Sequence, residues 1–168
     1  MTTGQMVLMT GLYLAAFVAV ACFTRAKPLR IAGAAAGGAV FGLVALLAVA
    51  LGEAQNWWRV PKAGSPYFHF LFWLGFAVSC APVYLITWRV ARRFGGRGLA
   101  VCVVAAALIG PPRDYAFAAV FPSWIAFSPG TAPVIAVAGV YALLVVVGHA
   151  VMRMVAGPAR GDSLARRL

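Results

Sequence analysis

The sequence predicts an all-α membrane protein, a polytopic bundle of about five transmembrane helices. Three observations carry that prediction. Hydrophobic residues make up 64% of the 168 positions and charged residues only 10%, against roughly 45–50% and about 25% in soluble domains. Apolar runs recur near the ~20 residues that cross a ~30 Å hydrocarbon core. The 14 Lys and Arg residues gather in short clusters between those runs, as the positive-inside rule expects of cytoplasmic loops.

The first run, 6–24, has no basic residue before it and is followed by Arg25, Lys27 and Arg30. That order is the reverse of a secretory signal and makes the run an anchor with its N-terminus outside. The second run, 31–51, carries Gly33, Gly37, Gly38 and Gly42 among alanines. Small residues four apart allow close backbone approach in lipid, so these glycines are expected to pack another helix, from this chain, a second copy or a membrane partner.

A polar connection follows with Glu53, Gln55, Asn56, Arg59 and Lys62, and its adjacent Trp57 and Trp58 read as interfacial anchors. The third span, 67–88, contains Pro82 and leads into Arg89, Arg92, Arg93 and Arg97, with Gly95 and Gly96 ending the helix. The fourth segment, 99–121, has only eleven uninterrupted apolar residues before Gly110-Pro111-Pro112-Arg113-Asp114-Tyr115. Its expected form is a span broken at 110–112, crossing in two pieces or re-entering. Phe117, Phe121 and Trp124 would line one face of the second piece. The fifth span, 134–155, closes a single transmembrane domain, 1–156, before the basic tail 157–168.

Five spans place eleven basic residues on one side and Arg59, Lys62 and Arg113 on the other. The richer side is then cytoplasmic, with the C-terminus inside and the protein in the cytoplasmic (inner) membrane. The net charge of +11 is thereby explained by topology, and no basic stripe interleaved with aromatics points to nucleic acid. Cys22, Cys80 and Cys102 lie inside apolar runs and read as packed thiols.

No nucleophile, phosphate-cradling or dinucleotide motif is present. His69 and His149 belong to opposite leaflets and cannot share one metal or haem. The residues with chemical potential are an outer-side polar cluster of Glu53, Arg59, Lys62, His69, Arg113, Asp114 and Tyr115, since ionisable groups near hydrocarbon must be paired or wetted. The aromatic lining beside it would be Trp57, Trp58, Phe117, Phe121 and Trp124. These features favour a non-enzymatic accessory or ligand-binding component of a membrane assembly. A membrane enzyme or redox subunit acting on a lipid or quinone at the outer leaflet comes second. A small-solute carrier comes third, because no acid sits at mid-depth in the first, second, third or fifth run.

Overall fold

The computed structural model describes residues 3–61 and 67–158, so Lys62 and the tail residues from 159 onward lie outside the described residues. Among the described residues the regular structure is helical apart from one two-stranded pairing. Helix α1 is Thr3–Thr24, α2 is Pro28–Ala54, and β1 is Trp58–Arg59. A helical stretch Phe68–Val120 follows, then β2, Ala126–Phe127, and a final helix Thr131–Ala156. Four of these stretches are long and apolar enough to cross a membrane by length and composition.

The stretch Phe68–Val120 has 53 residues and is really two helices, because Gly95 has φ 65° and ψ −148°. Only glycine adopts that geometry without strain. We label the halves α3 (68–94) and α4 (96–120), which makes Thr131–Ala156 α5. The reversal is visible in the packing: Leu99, Cys102 and Val103 of α4 lie against the core built by Tyr84, Leu85 and Trp88 of α3. Tyr115 near the end of α4 stacks on Phe127, while Phe68 at the start of α3 belongs to the same buried layer as Trp58. The two helices are therefore antiparallel.

The expected break at Gly110-Pro112 is corrected by the structure. Helical geometry continues through Pro111 and Pro112 to Val120. The two prolines remove the N–H groups that residues 107 and 108 would otherwise bond, yet the packed neighbours hold the segment helical. The expected bounds also shift elsewhere. Helix α2 starts earlier, with Pro28 in its first turn, a position where the missing N–H costs nothing. Arg30 is consequently a buried helical residue and not a loop charge. Helix α3 runs on through Arg89, Arg92 and Arg93, since arginine is a good helix former and only the glycine stops it.

Helix α2 is the centre of the bundle because its glycines give seats to two neighbours. A methyl group at Gly33 would lie 2.9 Å from the Met152 carbonyl oxygen, and one at Gly37 2.5 Å from that of Gly148. On the adjoining face, a methyl at Gly38 would meet the Ala77 oxygen at 2.1 Å, and one at Gly42 the Trp73 ring at 2.8 Å. One row thus receives α5 and the other α3. The close approach also lets the Trp73 indole N–H donate to the Ala39 carbonyl at 2.9 Å. Helix α1 is different: it lies on the α3–α4 pair with most of its surface bare.

At the end of the bundle where α2 finishes and α3 begins, a small, largely apolar layer closes the core. Trp58 pairs with Phe127 and Arg59 with Ala126 in an antiparallel register. Ser128 N–H donates to the Trp57 carbonyl at 2.9 Å. Paired Trp57 and Trp58 do not behave alike. Trp58 is 7% exposed, with its indole over Gly52, where any side chain would overlap it, and its N–H on the Val49 carbonyl at 3.3 Å. It is a plug in the core, whereas Trp57 is partly exposed.

Candidate functional site

Glu53, Arg59, His69, Arg113, Asp114 and Tyr115, expected to lie near one level, fall into two groups. The first belongs to the closing layer. The Glu53 carboxylate accepts the Val60 backbone N–H at 2.8 Å, so it ties down its own loop. Arg59 is exposed on β1, and His69 is exposed beside the Phe68 ring. Tyr115 reaches this layer through Phe127, with ring centroids 4.4 Å apart and planes 10° from parallel. Phe117 and Phe121 pack together at 4.9 Å, and Trp124 follows in the turn after α4.

Arg113 and Asp114 form the second group, deeper along the helices. Asp114 Oδ1 accepts from Arg113 Nη1 at 2.9 Å and from the Tyr141 hydroxyl at 2.7 Å. Arg113 Nη1 also donates to the Tyr141 oxygen, closing a triangle. A longer contact, 3.4 Å, runs from Arg113 Nη2 to the Tyr13 hydroxyl of α1. Tyr141 therefore bridges both members of the adjacent Arg113–Asp114 pair.

Local sequence explains how Tyr141 arrives. An added methyl at Gly110 would lie 2.3 Å from the Tyr141 ring, so the ring crosses α4 where a side chain is missing. Its hydroxyl then reaches the turn above, where Arg113 and Asp114 project. Tyr13 and Tyr141 each lie ten residues from the start of their helices, about 15 Å along the axis. Arg113 has seven more helical residues beyond it, about 10 Å. Arg113 and Asp114 thus stand about two turns before the end of α4.

The triangle is not sealed. The Arg113 side chain is 54% exposed and that of Asp114 27%. One edge of the guanidinium is fixed by Asp114 and Tyr141, and Nη2 has the longer contact to Tyr13 of α1. An arginine held in this way offers planar, charge-assisted donors to a carboxylate, phosphate or carbonyl group.

Near the opposite end of the bundle, Thr87 Oγ1 and His149 Nδ1 are 3.2 Å apart and both residues are buried. His149 is thus a hydrogen-bonded packing residue far from His69. Arg30 and Arg92 approach the Trp88 ring with guanidinium carbons at 5.1 and 5.9 Å from its centroid. Among the described residues no group of three His, Cys, Asp or Glu side chains is placed to hold a metal.

Sequence reasoning missed Tyr13 and Tyr141. A signal existed: a hydroxyl in the middle of an apolar span must find a partner, and the arginine-aspartate pair on another span can provide one. The four glycines of the second span, by contrast, are occupied by α3 and α5 of the same chain. Comparisons with protein-family models, with curated proteins and with solved structures give no match to this chain.

Proposed function

We propose that this chain is a ligand-binding component of a membrane, with five spans, its N-terminus outside and its C-terminus in the cytoplasm. On this reading α3 and α4 cross separately, which puts Arg25, Lys27, Arg89, Arg92, Arg93, Arg97 and Arg153 on one side. The fourth crossing is a continuous helix that carries its arginine inside the hydrocarbon zone. The ligand is an amphiphile whose polar group has acceptor oxygens. It enters from the outer half of the bilayer and meets Arg113 beside α1.

One observation carries this reading: Arg113 is half exposed at a level where the neighbouring helix surface is apolar. An arginine facing lipid tails is costly, by at least ~2.5 kcal/mol on insertion scales. Its partners Asp114 and Tyr141 offset only part of that cost, and an oxygen-rich headgroup would offset more. The Phe117–Phe121 pair and exposed Val120 lie on the path to the membrane surface, and suit an apolar tail. A protein partner in an assembly would dock on faces other than the two glycine rows.

Native mass spectrometry of the full chain extracted in mild detergent tests the proposal. The parent protein should retain an amphiphile that Arg113→Gln loses and Arg59→Gln keeps. Equal retention by all three proteins would remove Arg113 from the site.

A second reading, chemistry on a quinone or lipid at the outer leaflet, is favoured by the Tyr141 hydroxyl donating to Asp114 at 2.7 Å. Such a pair can pass a proton to a bound carbonyl. Asp114→Asn separates the readings, because binding alone survives that change better than turnover does.

A further inference from the structure

We infer that the basic end of the bundle carries a second site, remote from Arg113, which holds the phosphate headgroup of an anionic phospholipid. Arg89, Val90, Arg92, Arg93 and Phe94 line an open surface depression of about 550 Å³ at the end of α3. Arg92 and Arg93 stand three and four residues after Arg89, so each neighbours Arg89 on the helix surface, one on either flank.

Each guanidinium is already positioned by a contact of its own. Arg89 Nη1 donates to the Thr24 carbonyl at the end of α1, at 2.8 Å. Arg92 approaches the Trp88 ring, and Arg93 lies 5.2 Å from the centre of the Phe94 ring. Positioned in this way, the forks lose less freedom on meeting a phosphate than mobile lysines would.

Charge balance points the same way. Of the acids among the described residues, Glu53 belongs to the far closing layer and Asp114 to the triangle with Tyr141. Neither neutralises the arginines of this depression. Basic pockets on the cytoplasmic side of helical bundles recruit anionic headgroups for this reason. The wall also tells a lipid from free phosphate. Phe94 is 58% exposed and Ile86, two turns back along α3, is 48% exposed, so an apolar path leads from the depression along the lipid-facing side of the helix. Inorganic phosphate has nothing to place on that path.

The test uses the full chain in nanodiscs of phosphatidylcholine alone and of phosphatidylcholine with phosphatidylglycerol, with bound lipid counted by native mass spectrometry. The parent protein should retain phosphatidylglycerol selectively. Removing two arginines, Arg92→Gln with Arg93→Gln, should weaken retention at least about thirtyfold, through the loss of two direct charge-assisted contacts to the phosphate. The charge-matched control, Arg25→Gln with Lys27→Gln, removes the same charge at the same end outside the depression and should change retention only slightly. Arg92→Lys with Arg93→Lys keeps the charge and guards against loss by misfolding; it should fall between the parent and the glutamine pair. Equal losses in the depression and control pairs would overturn the site, leaving a general basic collar. Displacement of the lipid by inorganic phosphate at comparable concentration would overturn the lipid assignment.

Discussion

Helices α1 and α2 have nearly the same mean hydropathy, 2.1 and 2.3, yet 6% of the apolar window of one is buried and 33% of the other. Hydropathy selects both for the membrane and says nothing about where each sits within the bundle. The difference is volume. Helix α2 presents two rows of glycine, and α3 and α5 press their backbones into them. Helix α1 has Gly11, where an added methyl would meet nothing within 4 Å; it is held by Phe17, Val20 and Ala21 against the core and by polar contacts from Arg89 on its last turn and Arg113 at its middle. In lipid no hydrophobic force pulls helices together, so close packing and hydrogen bonds divide that work.

The comparison breaks first at the glycines. Gly38→Leu and Gly37→Leu should be strongly damaging, because the first added carbon already meets backbone oxygen at 2.1 and 2.5 Å. Overpacking costs about 1–3 kcal/mol when neighbours can yield, and a carbonyl of a packed helix yields poorly. Unfolding in detergent should show a loss at or above that range. Gly11→Leu and Gly139→Leu, with open space around them, should unfold like the parent.

A smaller effect is expected at Gly110. Gly110→Leu should push the Tyr141 ring off α4 and open the Arg113–Asp114–Tyr141 triangle, with partial loss of stability. It should also abolish ligand retention, whereas Tyr141→Phe removes the hydroxyl alone and should weaken retention with little change in folding. Interhelical polar contacts in membranes average about 0.6 kcal/mol and reach about 1.7. Arg89→Gln should therefore cost no more than that. Its signature is local: α1 loosens while α2, α3 and α5 stay packed, read as faster hydrogen exchange confined to residues near Thr24. Global unfolding in this variant would mean that α1 contributes more to the core than its exposure indicates. Smallest of all, Leu12→Ala, at a position 57% exposed, should lie within about 0.5 kcal/mol of the parent.

Much of the bundle was legible in the sequence because lipid imposes one dominant rule, apolar length. The helical runs, the stop at Gly95 and the glycines of the second span all follow from it or from steric size. Three things were not legible, each for a physical reason. Pro111 and Pro112 signal a break to any local reading, but packing against α5 and α1 keeps the helix continuous. The pairing of Trp58 with Phe127 joins two-residue strands far apart in sequence, too short to show any alternation. Arg113 and Asp114 were recognisable as ionisable groups near hydrocarbon, but their partners Tyr141 and Tyr13 come from helices whose relative rotation no single sequence reveals. Glu53 shows the converse: it turned inward on its own loop because an N–H seven residues away was available.

On the proposed reading Arg113 lies inside the bilayer and is open to lipid. Spin labels attached to cysteines at Ile109 and Ala116, exposed positions on either side of it, measure this in a background lacking Cys22, Cys80 and Cys102. With Arg59→Cys as the water-exposed reference, collision with oxygen should exceed collision with a water-soluble nickel chelate at both 109 and 116. The label at 109 should lie deeper by about 10 Å, seven residues at ~1.5 Å each. Nickel accessibility at 116 and 109 equal to that at 59 would put Arg113 in water and contradict the account.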